Sequence, residues 1–483
     1  MRHKVVLKIL GVLLTLFSTT QLPPVIVALI YDEHSIKAFV LSGLLTLLTG
    51  ILCWLPVRNF HRDLKFRDGF LVVALFWTVV ALFGSLPFLL TEEVHISVTD
   101  AFFESMSGLT TTGATVMTGL DELPRSILYY RQQLQWLGGM GIIVLAVAVM
   151  PMLGVGGMQL YRAETPGPVK NSKLTPRITQ TAKALWLVYT GLTVACALGY
   201  YVAGMNVFDA IGHSFATIAS GGFSTHDSSL GFYNSPQIAI VATVFMIFSG
   251  INFGLHFMAF RNLSVFTYFR DPEARGYLLF VFAIICITLA TLLATNAYST
   301  IPETIWQGIF QVVSMGTTTG FATTGFSWWP TFLPVMLVIM SAVGGCAGST
   351  SGGMKVIRLI LLYKQGRREI HQLIHPQAVI SIKLGNKPVP NQVINSVWGY
   401  LALYILSYVT ISIAMSATGA DLITAFSSVT ACLNNLGPGL GEVTDNYASV
   451  TVAGKWLLSF TMLLGRLELF TLLVLFSRSY WRS

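Results

Sequence analysis

Thr110-Thr111-Thr112-Gly113-Ala114-Thr115 is a polar run of small residues in an otherwise oily chain. Three later stretches echo it: Ala219-Ser220-Gly221-Gly222-Phe223-Ser224, Thr317-Thr318-Thr319-Gly320-Phe321-Ala322 and Asn434-Asn435-Leu436-Gly437-Pro438-Gly439. Their shared glycines, Gly113, Gly222, Gly320 and Gly437, follow one another at intervals of 109, 98 and 117 residues. One such run reads as a glycine turn between helices. Four at near-even spacing predict four copies of one unit.

The surroundings define the unit. The 483 residues are 54% hydrophobic and 10% charged, with a mean hydropathy of +0.68. Soluble domains carry about 25% charged residues, so the composition is that of an integral membrane protein. Runs of about 20 apolar residues can span a bilayer. They fall at 5–31 and 38–57, then at 69–91 and 131–155, 184–204 and 236–260, 276–296 and 331–362, and 396–418 and 452–477. The N-terminus begins like a signal peptide, but its apolar run resumes after Pro23-Pro24, which reads as an uncleaved span. Each of the last four pairs encloses a half-length segment that ends in one of the glycine runs: 99–111, 208–220, 305–318 and 421–435. About 12 residues at 1.5 Å each cover only about 18 Å, too little to cross. Ten spans and four re-entrant segments are therefore expected. Asp100, Asp209, Gln307 and Thr424 stand thirteen residues before the four glycines, and the two aspartates are expected to cap their half-helices.

The net charge of +8 has a topological reading. The N-terminus, the 58–67 loop and the loop after each unit hold 24 of the 29 lysines and arginines. The positive-inside rule makes that side cytoplasmic, so both termini are inside and the glycine runs are entered from outside. The five cysteines are scattered without a CxxC and read as small hydrophobes, not as disulfides or a zinc site. Gly154-Val155-Gly156-Gly157 follows a helix instead of a strand and is no nucleotide loop. His213 and His256, lone on apolar helices, read as packed and hydrogen-bonded.

Irregular backbone at membrane depth must be buried in protein or line a water-filled cavity. Four re-entrant loops on one axis supply such a cavity. Each half-helix points its negative C-terminal end inward, which favours a cation. Rings of backbone carbonyls can replace a cation's hydration shell, and glycine lets the backbone turn them to the axis. None of the four runs holds an acidic residue, so a monovalent ion is expected over a divalent one.

Long stretches of the chain resemble the Trk/Ktr/HKT superfamily of potassium transporters, and its bacterial TrkH branch most: TDAFFESMSGLTTTGAT, LQWLGGMGIIVLAVAVMPMLGVGGMQLYRAE, FDAIGHSFATIASGGFSTHD, GGCAGSTSGGMKVIR, LNNLGPGLG and GRLELFTLLVLF. The resemblance covers the whole chain. It implies an all-α polytopic membrane protein with two leading transmembrane helices and four pseudo-repeats of helix, pore helix and helix around one central pore. The corresponding boundaries are 1–68 for the leading helices and 69–165, 166–262, 263–376 and 377–483 for the repeats.

It also implies that Gly113, Gly222, Gly320 and Gly437 are filter glycines. Potassium would be bound by backbone carbonyls of Thr111, Thr112, Ser220, Gly221, Thr318, Thr319, Asn435 and Leu436. In plant relatives a serine at the first filter glycine goes with sodium transport, so Gly113 points to potassium. The family has a gating loop beneath the filter, here 344–353 with Gly345, Gly348, Ser349, Thr350, Gly352 and Gly353. This glycine-rich run is also a poor helix on its own terms, which leaves a packing kink as the other reading. Lys355 closes it, either as part of the gate or as a lysine snorkelling to the interface. Arg466, inside the last span, is a functional candidate by position or one member of a buried ion pair.

A bacterial inner-membrane location, a homodimer and a cytosolic TrkA-type ring that binds NAD and ATP or ADP follow from the same resemblance. The basic loops 159–183, 261–275 and 363–392 suit both that ring and anionic lipid. Nothing in the chain suggests nucleic acid, a bound cofactor or an enzyme: potassium is cargo, and no cluster of acids or histidines lies at one membrane face. A proton- or sodium-coupled symporter is the alternative, although few titratable groups lie within the spans.

Overall fold

A computed structural model describes residues 2–60, 66–144, 178–330, 332–385 and 387–482. The 145–155 part of one expected span, the glycine run 154–157, the 159–177 part of a basic loop, and Arg62 and Lys65 lie outside the described residues.

Two leading spans come first. Helix α1 (Arg2–Thr19) and helix α2 (Leu22–Ile30) run as one stretch past the proline pair, and α3 (Ile36–Trp54) returns against α1. The first repeat is α4 (Phe66–Gly84), the short α5 (Leu86–Leu90), the pore helix α6 (Val98–Leu109) and α7 (Arg125–Val144). The second is α8 (Ile178–Val202), pore helix α9 (Val207–Ile218), α10 (Pro236–Ser249) and α11 (Phe253–Asn262). After α12 (Phe266–Arg270), the third has α13 (Pro272–Ala294), pore helix α14 (Ile301–Gly316), α15 (Phe332–Ser341) and α16 (Val356–Ile374). A ladder of two-residue strands, β1 (Lys383–Leu384) and β2 (Lys387–Pro388), leads into the fourth. That repeat is α17 (Asn391–Ala417), pore helix α18 (Leu422–Leu433), α19 (Val452–Arg466) and α20 (Phe470–Leu473).

The expected span 131–155 is described only as far as Val144 and does not enter the count that follows. Six described helices are continuous, long and apolar enough to cross a bilayer, and two bent pairs raise the number to eight. The departures from a continuous helix lie in the second spans of the last three repeats. That of the second repeat bends by 98° between α10 and α11, and that of the fourth by 110° after Arg466. That of the third stops at Ser341, and helix resumes only at Val356. The sequence reading anticipated only the third break.

The pore helices begin differently from expectation too. Asp100 and Asp209 are not the caps. Ser97 and Asn206 are, and each aspartate sits three residues later in a reciprocal capping arrangement. Ser97 Oγ accepts from the Asp100 amide at 3.1 Å and donates to the Asp100 carboxylate at 2.8 Å. Asn206 does the same with Asp209 at 2.8 and 2.7 Å. Thr300 and Asp421 cap α14 and α18. The third pore helix is longer than predicted, at 16 residues against 12 for the other three, because Thr300-Ile301-Pro302 starts it one turn earlier.

Glycines in the second spans pack against the pore helices. A Cβ on Gly138 would lie 1.9 Å from the carbonyl oxygen of Leu109, and one on Gly465 would lie 2.1 Å from that of Leu433. Leu109 and Leu433 end α6 and α18, so the two repeats make one contact twice. Small residues permit this approach in lipid. Three cysteines are buried as expected, whereas Cys53 is half-buried and Cys286 exposed on the outside of the bundle.

Gly138→Ala should therefore cost about 1–3 kcal/mol of stability, the usual range for overpacking. Gly191→Ala, on an open face of α8 with nothing near its Cβ, should shift it by less than about 1 kcal/mol. Thermal melting of the two variants in detergent checks the contrast.

Candidate functional site: a ring of four re-entrant loops

Each pore helix ends four residues before its glycine, at Leu109, Ile218, Gly316 and Leu433. The backbone then makes the same turn four times. Thr111, Ser220, Thr318 and Asn435 take positive φ of 53°, 53°, 56° and 52°. The residue after each returns its amide to the helix: Thr112 to Ser107, Gly221 to Ala216, Thr319 to Ser314 and Leu436 to Ala431, at 2.8–2.9 Å. This is the bond of a left-handed helix C-cap. Gly113, Gly222, Gly320 and Gly437 follow with φ of 81°, 76°, 83° and 94°.

These glycines close a ring. A Cβ on Gly113 would lie 2.0 Å from the carbonyl oxygen of Gly221, one on Gly222 2.0 Å from that of Thr319, one on Gly320 2.1 Å from that of Leu436, and one on Gly437 2.7 Å from that of Thr112. Every glycine thus faces the carbonyl that precedes the next repeat's glycine, and the fourth returns to the first. Polar contacts support three of the four junctions. Asn435 Nδ2 donates to Thr112 Oγ1 at 3.0 Å, the Tyr447 amide to Thr115 O at 2.7 Å, the Leu120 amide to Asp227 Oδ2 at 2.9 Å and the Gly231 amide to Ala322 O at 3.1 Å. Four of the eight predicted carbonyls, those of Thr112, Gly221, Thr319 and Leu436, are thus placed against the next glycine in the ring, and all eight residues are buried. The threonine hydroxyls act behind the ring: Thr110 pairs with Thr112, and Thr317 with Thr319, both at 2.8 Å.

The 342–355 segment lies directly beneath. Thr350 Oγ1 donates to Ile218 O at 2.8 Å and lies 3.0 Å from Ser220 Oγ, and the Gly352 amide donates to Thr318 Oγ1 at 2.7 Å. A Cβ on Gly352 would lie 1.9 Å from Asn434 O. The segment therefore touches the second, third and fourth loops. The break between α10 and α11 holds it from the side: Cys346 N donates to Gly250 O at 2.8 Å, Phe253 N to Gly348 O at 3.1 Å, and Asn252 Nδ2 to Ala347 O at 2.7 Å. Gly345 accepts from the Val356 amide at 3.0 Å, Ser349 Oγ donates to Cys346 O at 2.6 Å, and Gly353 takes a φ of 72°.

Lys355 does not snorkel. It is buried, and its ammonium donates to Ser351 O at 2.7 Å. Arg466 is not in an ion pair among the described residues. Its guanidinium donates to Thr350 O at 3.1 Å and to Gly138 O at 3.3 Å. Glu468 instead meets Arg358 at 2.5 Å, where the last span turns through two residues of positive φ, Glu468 and Leu469. His213 and His256 are buried and bonded through both ring nitrogens, as expected.

Sequence reading missed the polar face of α7. Arg131, Gln132, Gln133 and Gln135 are all buried. Arg131 Nε meets Glu104 at 2.7 Å, Nη2 donates to Thr115 Oγ1 at 3.0 Å, and Nη1 donates to Ser224 O at 3.1 Å. Gln135 donates to Gly221 O at 2.6 Å and accepts from the Phe223 amide at 3.0 Å. The available signal was Arg131-Gln132-Gln133-Leu134-Gln135 itself, a run too polar for a lipid-facing helix.

A helical membrane bundle built around four re-entrant loops defines a membrane transport protein. Residues 35–483 match the family described as TrkH: Cation transport protein, and the chain belongs to that family. It is 54% identical to the "Trk system potassium uptake protein TrkH" of Escherichia coli K12 and to that of Halomonas elongata, over all of this chain and all of each relative. It is 40% identical to the "Trk system potassium uptake protein TrkG" of Escherichia coli K12, over 99% of both chains. The crystal structure of the potassium transporter TrkH from Vibrio parahaemolyticus matches with a TM-score of 0.93 and 50% identity, over the whole of both chains.

Past the second glycine, His226 joins the loops of two repeats. Its ring stacks on Phe232 at 3.6 Å, touches Asp121 and lies 3.3 Å from Asp209. Burial disfavours its charge, but hydrogen bonds and attraction from Asp209 and Asp121 outweigh that and raise its pKa above the ordinary value. With the folded value above the unfolded one, the protonated ring favours the folded state. That contribution is complete below the unfolded value of about 6.5 and is lost as pH rises through the folded value. Melting temperature should fall as pH rises above about 6.5, and His226→Gln should flatten that slope in a detergent melting series.

Proposed function

We propose that this protein takes up potassium across a bacterial inner membrane, passing the ion through the ring of four loops. The observation that carries the reading is the closed order of glycine against carbonyl. It gathers oxygen dipoles from all four repeats at the negative ends of four half-helices. The ion ligands are the carbonyls of Thr111, Thr112, Ser220, Gly221, Thr318, Thr319, Asn435 and Leu436. The absence of acids from the loops favours a monovalent ion, and Glu104 behind them is neutralised by Arg131. The names of the relatives, potassium uptake proteins over the full chain length, support the same cargo.

In this reading 344–353 is the gate. It sits under three of the four loops, and Arg466 holds it through Thr350 O while Lys355 holds it through Ser351 O. The basic loops face the cytoplasm, as the lysine and arginine count argues. There they meet anionic lipid and a TrkA-type ring binding NAD and ATP or ADP, and two copies of the chain form the working unit.

Cation-specific uptake in a potassium-transport-deficient host tests the reading. The wild-type chain should restore growth at low potassium, and no restoration would sink the proposal. Gly113→Ser places a side chain where only 2.0 Å separates Cβ from Gly221 O. It should lower the potassium-to-sodium uptake ratio by about tenfold, which is about 1.4 kcal/mol of lost discrimination. An unaltered ratio would remove the first loop from the filter.

Arg466→Ala frees the gating loop from α19 and should raise the potassium uptake rate severalfold at unchanged ion preference. Tracer uptake at fixed membrane potential reads both.

A further inference from the structure

The four quadrants of the ring are built to one plan but not held alike. Nine residues before each glycine stand Glu104, His213, Gln311 and Ser428, all fully buried behind the loops. Two residues after each glycine stand Thr115, Ser224, Ala322 and Gly439. In the first repeat Thr115 Oγ1 donates to Glu104 at 2.9 Å, and in the second His213 Nε2 lies 2.9 Å from Ser224 Oγ. In the third, Ala322 offers no hydroxyl, and both amide atoms of Gln311 are without a hydrogen-bond partner among the described residues. In the fourth, Ser428 turns back to Ala425 O at 3.2 Å.

The first two loops are held more tightly still, by one face of α7. Arg131 lies between them. It takes Glu104 and Thr115 of the first repeat with one edge and Ser224 O of the second with the other, and its guanidinium stacks over Phe223 at 4.3 Å. One turn on, Gln135 binds the backbone on both sides of Gly222, through Gly221 O at 2.6 Å and the Phe223 amide at 3.0 Å. Residues four apart on a helix share a face, so both side chains act on one short piece of backbone. Together they fix the height of the second loop against the first and the tilt of the Gly221 carbonyl.

We propose that Arg131 and Gln135 are positioning residues that set the discrimination between potassium and sodium. The inference rests on the reading of the four loops as the filter. Sodium is the smaller ion, and a carbonyl ring that can contract accommodates it. A backbone pinned from behind by a charged fork and a two-bonded amide contracts less. The pair touches no ion. It acts through Gly221, Phe223, Ser224 and Thr115.

The test is the bi-ionic reversal potential of the purified full-length protein in planar bilayers, potassium on one side and sodium on the other. Arg131→Lys keeps a charge opposite Glu104 but loses the fork, and Gln135→Asn keeps an amide but withdraws it by one methylene. Each should raise the sodium-to-potassium permeability ratio at least threefold. Gln133→Leu is the control. Gln133 lies on the same helix but binds Thr20 O at 2.8 Å, away from the loops, so its loss should lower melting temperature and leave the ratio unchanged.

A wild-type ratio in folded Arg131→Lys and Gln135→Asn would overturn the proposal, as would an equal shift in Gln133→Leu. If Arg131→Lys cannot be recovered folded, the milder Gln135→Asn decides alone. Gly113→Ser measured alongside separates the two levels. A shift there with none in Gln135→Asn overturns only the positioning role, whereas no shift in either removes the filter reading as well.

Discussion

The approach of each loop glycine to the next repeat's carbonyl is the contact on which the structure depends. It leaves no room for a β-carbon at four places and demands positive φ at each. Those two demands come from different sources. The dihedral comes from the turn that ends the pore helix, which every repeat makes with its own residues. The distance comes from the neighbouring repeat. A glycine at this position therefore satisfies a local and a long-range requirement together. The half-helices, their caps and the close-packed glycines of the second spans are the scaffold that keeps four such contacts in one ring.

Below that ring the second spans of the last three repeats give up continuity. Breaking a helix at membrane depth frees backbone groups that must find partners in protein. Here the breaks satisfy one another. Gly250 O, released where α10 ends, accepts from Cys346 N, and Gly348 O accepts from Phe253 N where α11 begins. Two interrupted spans thus complete each other's hydrogen bonding, and the glycine-rich segment is held in place without being helical. Arg466 and Lys355 donate to two further carbonyls of this segment, those of Thr350 and Ser351, so buried cations cover peptide oxygens that helix would otherwise have used.

Much of this was legible in the sequence, and the parts that were not share a cause. Repeats, half-helices and loop glycines are periodic features, and period survives without knowledge of contacts. The bends at Gly250 and after Arg466 fall on Ser249-Gly250-Ile251-Asn252 and Gly465-Arg466-Leu467-Glu468, which are polar but too short to show from spacing alone that the helix turns there. Asp100 and Asp209 were correctly singled out at the helix starts but given the wrong position, since Ser97 and Asn206 lie outside the aligned block. Arg131 stands in a polar run, Arg131-Gln132-Gln133-Leu134-Gln135, that marks a protein-facing helix but not its partners. Its role depends on Glu104 and on a loop some ninety residues away, and no spacing rule links the three. Lys355 offered snorkelling as one of two readings, and its burial against Ser351 O removes that one.

The four loops belong to one chain, and they are not copies in detail: glutamate, histidine, glutamine and serine occupy one equivalent position. In a ring assembled from four identical subunits, any substitution is made four times, and intermediate states of the ring do not exist. Here each coding change alters one quadrant and leaves three as they were. The surroundings of one loop can then change while the other three keep theirs. The inequality among quadrants is open only to a ring whose four loops are encoded separately.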